Sequence, residues 1–594
     1  MSLIITFKPS PCRWKLAGFL LGSLLTGLLS SPGVSAQERL NDELLRLRQN
    51  DEVLRQQQRE EALRERLEER PDVRLNVPLE ALERFPDQES PCFVIRELHV
   101  QGEAIERFGW LRDAALGDSE EDSPLGRCLG TQGINLVLKR TQNALIDRGF
   151  VTSRVLVEPQ DLNDGTLILT LVPGRIAHVR WADPNPKWAS WRNALPARPG
   201  DILNLRDIEQ ALENFQHLPS VDVDIQIAPG GEPGESDLVI AYQQKRPLRA
   251  SASLDNSGTD ATGRYLAGVT LSYDNPLGLN DLAYISLSKD AGGGYPGPRG
   301  NKSRLAHYSI PWGYWRLRLD ASDYAYHQSI AGPSETNEYS GTSRDLSATL
   351  SRTVYRDASR KTTVSAGAFQ RQSRNFFEDG EIEVQRRVVG GWEAGIDHRE
   401  FIGNSLLNIQ LNYQRGTGAF GSLPAPEEVE TDFGADADIK GTSHFELITS
   451  TTDLSVPFLL GEQSLRYLGQ LRLQHNLTPL TPLEQFSIGS RYSVRGFTDN
   501  TLTAERGWLV RNELEADVGR SGQSLYVGLD YGQVDGPSTK WLLGKRLAGT
   551  ALGVRGSLGN SRFQYDASIA APLLKPDGFQ TDDYDLALSL YVTL

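Results

Sequence analysis

Beyond residue 36 the sequence has no apolar run approaching the eighteen residues of a membrane-spanning helix, so no transmembrane helix is expected. Histidine is scarce, eight in all, and scattered, with no His-Glu-x-x-His pair. There is no Gly-x-Ser-x-Gly elbow, no cluster of carboxylates and no Gly-x-x-x-x-Gly-Lys-Ser/Thr phosphate loop. No catalytic residue, metal site or cofactor is therefore assigned, and the chain does not read as an enzyme. Positive charge is in the minority, at a net −15, which argues against nucleic acid as a partner. Hydrophobic residues make up only 39%, while glycine, tyrosine and tryptophan are plentiful. Such a balance fits a soluble all-β protein or a transmembrane β-barrel, whose lumen is polar and whose strands alternate.

Cysteine is nearly absent too, at three residues. Residues 1–36 read as a secretory signal peptide, the alternative being an uncleaved anchor. Lys8, Arg13 and Lys15 form a basic start, Leu16–Leu29 an apolar core too short to span, and Val34-Ser35-Ala36 the small residues of a cleavage site. Its loss takes the formal charge from −15 to −18 and removes Cys12, leaving Cys92 and Cys128. In an exported chain an even pair is expected to be oxidised, two buried thiols being the other reading.

What is present falls into three textures. Gln37–Arg70 carries 18 charged residues in 34, with Leu40, Leu44, Leu47, Leu63 and Leu67 giving only a thin apolar stripe. It is rich in good helix formers but cannot be a core helix. It suits solvent, a coiled coil or a polar cavity. Residues 71–91 hold four prolines and read as an extended linker. Two β-α-β-β units follow, over 92–173 and 174–246. The first comprises a strand at Phe93–Val100, a helix at Gly133–Arg148 stopped by Gly149, and strands at Val151–Leu156 and Thr166–Val172. The second comprises Ile176–Trp181, a helix at Leu205–Phe215, and strands at Val221–Ile227 and Asp237–Tyr242.

From 247 to 594 the helical patterns vanish, and strands of about ten residues alternate strictly. Leu407, Ile409, Leu411 and Tyr413 interleave with Asn408, Gln410 and Asn412. Phe563, Tyr565, Ala567 and Ile569 interleave with Gln564, Asp566 and Ser568. The last strand sets Leu586, Leu588, Leu590, Val592 and Leu594 on one face and ends the chain. A soluble sandwich would have shorter strands. About sixteen strands fit, with short turns at one rim and longer loops such as 291–301 and 423–440 at the other. The expected fold is mainly β: a 16-stranded transmembrane antiparallel barrel preceded by two small α/β domains and a helix.

This order of parts resembles the two-partner secretion transporters, the outer-membrane TpsB proteins of the ShlB/FhaC/HecB kind. Arg148-Gly149-Phe150-Val151-Thr152-Ser153, then Pro159-Gln160-Asp161-Leu162 and Gly165, look like the signature of the family's first periplasmic POTRA domain, as does the pair Cys92 and Cys128. The resemblance implies an outer-membrane location, with both POTRA domains in the periplasm. It implies secretion of a large β-helical TpsA-type exoprotein, recognised through its N-terminal secretion domain, and a charged helix, Gln37 to about Asn50, that plugs the lumen at rest. The remaining partners implied are outer-membrane lipid and the barrel-assembly machinery, with no nucleic acid. It also gives meaning to Val494-Arg495-Gly496-Phe497, which matches the tip of the family's sixth extracellular loop, where the arginine meets an acid on the inner wall. In Leu525–Gly532 the apolar set Leu525, Val527, Leu529 and Tyr531 faces lipid, which turns Asp530 inward, and Gly528-x-Asp530-x-Gly532 matches the family's motif on that strand. The rival reading is a barrel-assembly factor of the same superfamily.

Overall fold

The period-two segment closes on itself. The computed structural model describes residues 36–594 apart from 69–70, 76, 83, 118, 120–121, 184–185, 187, 332–335, 430–440, 520 and 559–561, and in the first helix it describes side chains from Asp51 onward. Residues 1–35, with Cys12 and nearly all of the expected leader, and most of the 423–440 loop fall outside these residues. Sixteen antiparallel strands, each bonded to its sequence neighbour, run from Leu248–Asp255 to Asp585–Thr593, and the last pairs with the first to shut the barrel. Closure leaves no exposed strand edge, as a bilayer requires. On Tyr265–Asp274 the two faces separate cleanly: Val269 and Leu271 point out, Thr270 and Ser272 in.

Strand length departs from the expected ten. Strands range from 8 residues (Leu248–Asp255) to 21 (Thr336–Arg356). At about 3.3 Å per residue, the longer ones rise well past the hydrocarbon layer, which needs only about 9–11 tilted residues. They extend the wall at the rim opposite the α/β units. Turns at the near rim are short, as at Gly313-Tyr314 between strands Gly300–Trp312 and Trp315–Ala331. The connection from Asn476 to Arg506 at the far rim is long and contains its own small hairpin, Phe486–Ile488 against Leu502–Ala504.

In the first α/β unit, strand Thr166–Val172 lies between Glu97–Gly102, parallel to it, and Arg154–Leu156, antiparallel. Helix Thr131–Asp147 covers the sheet, burying Val137 and Leu145 against Leu98, Leu167 and Leu169. It ends where Gly149, at φ 91°, lets the Gly149 and Phe150 amides turn back to the Ile146 and Leu145 carbonyls. Its start is capped by Glu89 of the linker, whose carboxylate accepts from Gly130, Gln132 and Gly133 N–H at 2.7, 2.8 and 3.0 Å.

Two strand expectations need correction. Phe93–Val100 is not one strand. Phe93–Val94 pairs with Cys128–Leu129; then Ile95 N–H turns to the Arg127 carbonyl, and Arg96 and Glu97 N–H both reach the Gly165 carbonyl. The backbone changes partner there, and the ladder restarts at Glu97. Likewise only Arg154–Leu156 of Val151–Leu156 is paired, because Ser153 is held beneath the turn, its hydroxyl accepting from Gly174 N–H. Two short helices, Leu111–Leu116 and Trp191–Ala194, join the units without having been expected.

Cys92 and Cys128 are disulfide-bonded, 36 residues apart in sequence. Closing a loop of that size is worth about 3–4 kcal/mol on the chain-entropy estimate. Reduction by dithiothreitol is expected to open residues 92–173 to trypsin while leaving the barrel protected. A first unit that stays resistant would show that its core suffices without the bond.

The second unit repeats the arrangement, with strands Arg175–Trp181, Glu235–Gln244 and Val221–Pro229 in that spatial order. Its helix Leu205–Gln216 begins at Asn204, whose side chain accepts from Arg206 N–H. Ile208, Ala211, Leu212 and Phe215 fill the core, while Glu209, Gln210, Glu213 and Asn214 are also buried. A helix buried on both faces needs a second partner. The near rim of the barrel supplies it: Asn214 Nδ2 bonds the Gly313 carbonyl at 2.7 Å and the Tyr314 hydroxyl donates to Asp207 at 2.6 Å.

Candidate functional site

The long far-rim connection folds back into the barrel. Val494 and Phe497 are fully buried with Ile488, Leu509, Val534, Leu547 and Phe579, an apolar cluster that fastens the tip. Gly496 sits at φ 91°, where a Cβ would strike the Ala571 backbone, so the turn there requires glycine. Between these anchors Arg495 enters a nest of acids. Its Nε and Nη2 donate to Asp530 at 2.7 and 2.8 Å, its backbone N–H also donates to Asp530 at 3.1 Å, and Nη1 donates to Glu513 at 2.7 Å. Asp530 is 0% exposed. Bidentate guanidinium–carboxylate bonds are among the strongest hydrogen bonds available to side chains.

The glycines flanking Asp530 make the room. A Cβ at Gly528 would fall on the Arg495 guanidinium; one at Gly532 would lie 2.9 Å from Val494 Cγ2 and 3.1 Å from Ile488 Cγ2. Gly549, on the next strand, Arg546–Leu558, is pressed against the Arg495 carbonyl in the same way. The structure thus brings together Val494, Arg495, Gly496, Phe497, Gly528, Asp530 and Gly532. It adds Glu513, which Arg555 also bonds. Glu513 stands directly across the ladder from Gly528, and its alternation with Leu514 on strand Arg506–Asp517 is the sequence signal that marks it.

A second element shares the lumen. The charged helix spans Ala36–Leu67, and its described part runs among inward-facing side chains. Glu52 accepts from the Tyr324 hydroxyl and from Thr259, and pairs with Arg59 at 3.1 Å. Arg59 also donates to the Ser257 carbonyl. Nearer the α/β units, Arg64 pairs with Asp320 at 3.7 Å, and Glu68 accepts from Tyr284 and Arg318 at 3.1 and 3.2 Å. The thin stripe finds matching spots: Val53 meets Tyr324, Tyr326 and Leu483, while Leu63 and Leu67 meet Leu282, Tyr284 and Leu305. Helix and inward loop touch, Asp51 accepting from Thr501 at 2.6 Å, Gln58 from Ser490 at 2.8 Å, and Arg55 donating to the Thr498 carbonyl. These contacts lie at 51–68, beyond the 37–50 stretch singled out from sequence, whose side chains are outside the described residues. Cavities of about 580 and 500 Å³ flank the helix, the first reaching Asp453 and Gln470, the second Gln410 and Asn412. Among the described residues, most helix–wall contacts are polar.

From the helix the chain passes to a clamp at the near rim. The carboxylates of Glu213 and Glu209 accept the Val73 and Leu75 amides at 3.2 and 2.9 Å, and Arg356 bonds the Val73 carbonyl, Glu209 and Glu213. Lys361 joins Glu213 at 3.0 Å and Arg399 joins Asp72 at 3.2 Å. Burial alone would raise the Asp72 pKa, but the bond from Arg74 and the charges of Lys361 and Arg399 hold it below the usual carboxylate range. The linker is thereby pinned between the second α/β unit and the barrel.

Among the described residues one group, Glu68, His307 and Asp320, has the ligand types of a metal site. Arg318 donates to both carboxylates, at 3.2 and 2.9 Å, and Arg64 pairs with Asp320, so the two acids already sit in an ion-pair network with two arginines.

Comparison with known proteins agrees with this architecture. Residues 234–556 match the family model described as haemolysin secretion/activation protein ShlB/FhaC/HecB. Residues 114–174 match the ShlB-type POTRA domain, and 175–229 a second POTRA domain. The chain is 37% identical to the outer membrane transporter CdiB-2 of Burkholderia pseudomallei over 530 residues, covering 86% of this chain and 88% of that one. It is 25% identical to the hemolysin transporter protein ShlB of Serratia marcescens over 75% of this chain and 76% of that one. The solved structure of CdiB from Acinetobacter baumannii superposes with a TM-score of 0.77 at 28% identity, covering 92% of this chain and 98% of that one. With two POTRA domains at the near, periplasmic rim and an inward-folded sixth loop from the far, extracellular one, the chain belongs to the ShlB/FhaC/HecB family of outer-membrane TpsB transporters.

Proposed function

We propose that this transporter secretes one large β-helical exoprotein, an adhesin, haemolysin or contact-dependent toxin, without nucleotide hydrolysis. The observation that carries this reading is a barrel whose lumen holds a polar helix directly above two POTRA domains. That is a gated path with a receiving platform, on a chain akin to proteins named as outer membrane and hemolysin transporters. The domains are a leader (1–36), plug helix (37–70), linker (71–91), POTRA domains (92–173 and 174–246) and barrel (247–594). The POTRA domains capture the partner's N-terminal secretion domain in extended form; strand addition to a free sheet edge such as Glu97–Gly102 is a physically suitable mode. The plug helix then withdraws, the chain passes through, and folding outside makes transit one-way. Arg495 and Asp530 lock the sixth loop in the conformation that leaves a path. Outer-membrane lipid surrounds the barrel, and the barrel-assembly machinery inserts it.

Cells lacking this chain are expected to retain the partner exoprotein in the periplasm, and re-expression to return it to the medium. A deletion that leaves secretion intact but lowers the amounts of other outer-membrane barrels would overturn this function in favour of the assembly-factor reading.

A further inference from the structure

We propose that Trp188 of the second POTRA domain is a membrane anchor, its indole lying in the headgroup region of the periplasmic leaflet and extending the barrel's aromatic belt onto a periplasmic domain. Trp188 is 68% exposed. Alone it would need no explanation, but it lies beside other exposed apolar side chains, and such a patch marks an interaction surface.

Its backbone is held from the Trp188 carbonyl onward. The Asn275 side chain donates to the Trp188 carbonyl and Asn280 Nδ2 to the Ser190 carbonyl at 2.7 Å. Asn193 Nδ2 donates to the Pro311 carbonyl at 3.1 Å, and Gly313 N–H to the Asn193 carbonyl at 2.7 Å. Trp188–Asn193 is thus stitched along two neighbouring periplasmic turns, 275–281 and 313–314. A Cβ at Gly278 of the first turn would lie 3.7 Å from the Trp188 carbonyl oxygen, in ordinary van der Waals contact.

Those turns carry an apolar rim. Leu277 is 64% and Trp312 71% exposed. Trp312 and Trp315 face each other directly across their ladder, and alternation sends Pro311, Ser309 and His307 inward and the two indoles outward. Leu248 and Tyr273 are partners on the same outer face two strands away. Leu317 and Leu319 continue this surface up strand Trp315–Ala331 into the lipid-facing wall. What covers Trp312 and Leu277 is the bilayer interface, where tryptophan is favoured because its ring is apolar and its N–H can stay wet. Trp188, fastened beside them, meets the same medium. The consequence is a POTRA domain held at a fixed tilt beneath the pore.

The mature chain offers a clean test, since Cys92 and Cys128 are joined and Trp188→Cys would introduce its one free thiol. The full protein carrying this change, labelled with a nitrobenzoxadiazole fluorophore, is placed in phosphatidylethanolamine/phosphatidylglycerol vesicles containing doxyl-labelled phospholipid. Leu277→Cys serves as the barrel reference, and Asp224→Cys, at an exposed position of strand Val221–Pro229, as the aqueous one. Heat-modifiable gel mobility checks that each barrel is folded. The Trp188 and Leu277 labels are expected to be quenched at least twofold more than the Asp224 label, and more by lipid carrying doxyl near the headgroup than deep in the chain. Quenching of the Trp188 label no greater than at Asp224 would overturn the anchor. So would a response appearing only when the partner's secretion domain is added, which would make the patch a cargo surface.

Discussion

Arg495→Ala should lower secretion of the partner exoprotein at least tenfold while leaving the barrel folded and inserted. Removing the guanidinium strands Asp530, which is buried and loses both of its side-chain bonds from that residue, keeping only the backbone N–H of position 495. Breaking a buried pair from one side costs about 3–5 kcal/mol, far more than the under 1 kcal/mol typical of exposed pairs. The barrel itself is held by sixteen inter-strand ladders that this change does not touch. The sixth loop is therefore what moves. Asp530→Ala should be similarly defective, although Arg495 keeps Glu513, so the loop is expected to rearrange and not to leave. Gly528→Ala offers an independent route, because its methyl group falls on the guanidinium without altering any charge. Secretion assayed in culture medium, beside heat-modifiable mobility of the barrel, reads both quantities. Normal secretion from both Arg495→Ala and Asp530→Ala would show that the pair is not a functional constraint.

Deleting residues 37–60 should raise single-channel conductance in planar bilayers several-fold. The lost segment includes Glu52, bonded to Tyr324 and Thr259, and Arg59, bonded to the Ser257 carbonyl, which together fill the centre of the lumen. Without them the cavities of about 580 and 500 Å³ on the helix's two sides become one aqueous path. A milder version is Arg356→Ala, which removes the bonds from Arg356 to Glu209, Glu213 and the Val73 carbonyl, loosens the linker without cutting its amide bonds to the two glutamates, and should increase the frequency of brief openings without raising their size. Conductance unchanged by the deletion would remove the helix from any gating role.

Much of this was legible in the chain because barrels write their inside and outside at period two. The lipid-facing set Leu525, Val527, Leu529 and Tyr531 fixes the side on which Asp530 lies, whatever the rest of the fold does. The small units were legible through their helices: Gly149 stops one, and the pattern over Leu205–Phe215 marks the other. What escaped depended on contacts distant in sequence. The expected strand Phe93–Val100 breaks at Ile95 because the backbone must serve Arg127 and Gly165 in turn. Glu513 lies inward by the same parity as Asp530, but only the closed ladder sets it opposite Gly528. The helix's register in the lumen was beyond sequence reading, since a polar helix with a thin apolar stripe fits many positions along a polar wall. Its described contacts, from Asp51 to Glu68, are selected by where Tyr324, Ser490, Thr501 and Arg318 project.

The central claim, that an extended partner passes through this lumen, is most directly tested by photo-crosslinking a stalled exoprotein to chosen wall positions. A photoreactive residue at Gln410 or Asp453, which line the two cavities, should capture the partner, whereas one at the neighbouring outward position Leu411 should not. Capture at the inward sites alone, lost when the partner's secretion domain is removed, is the predicted result. Equal capture at Leu411, or none at either inward site while secretion proceeds, would contradict transport through the barrel.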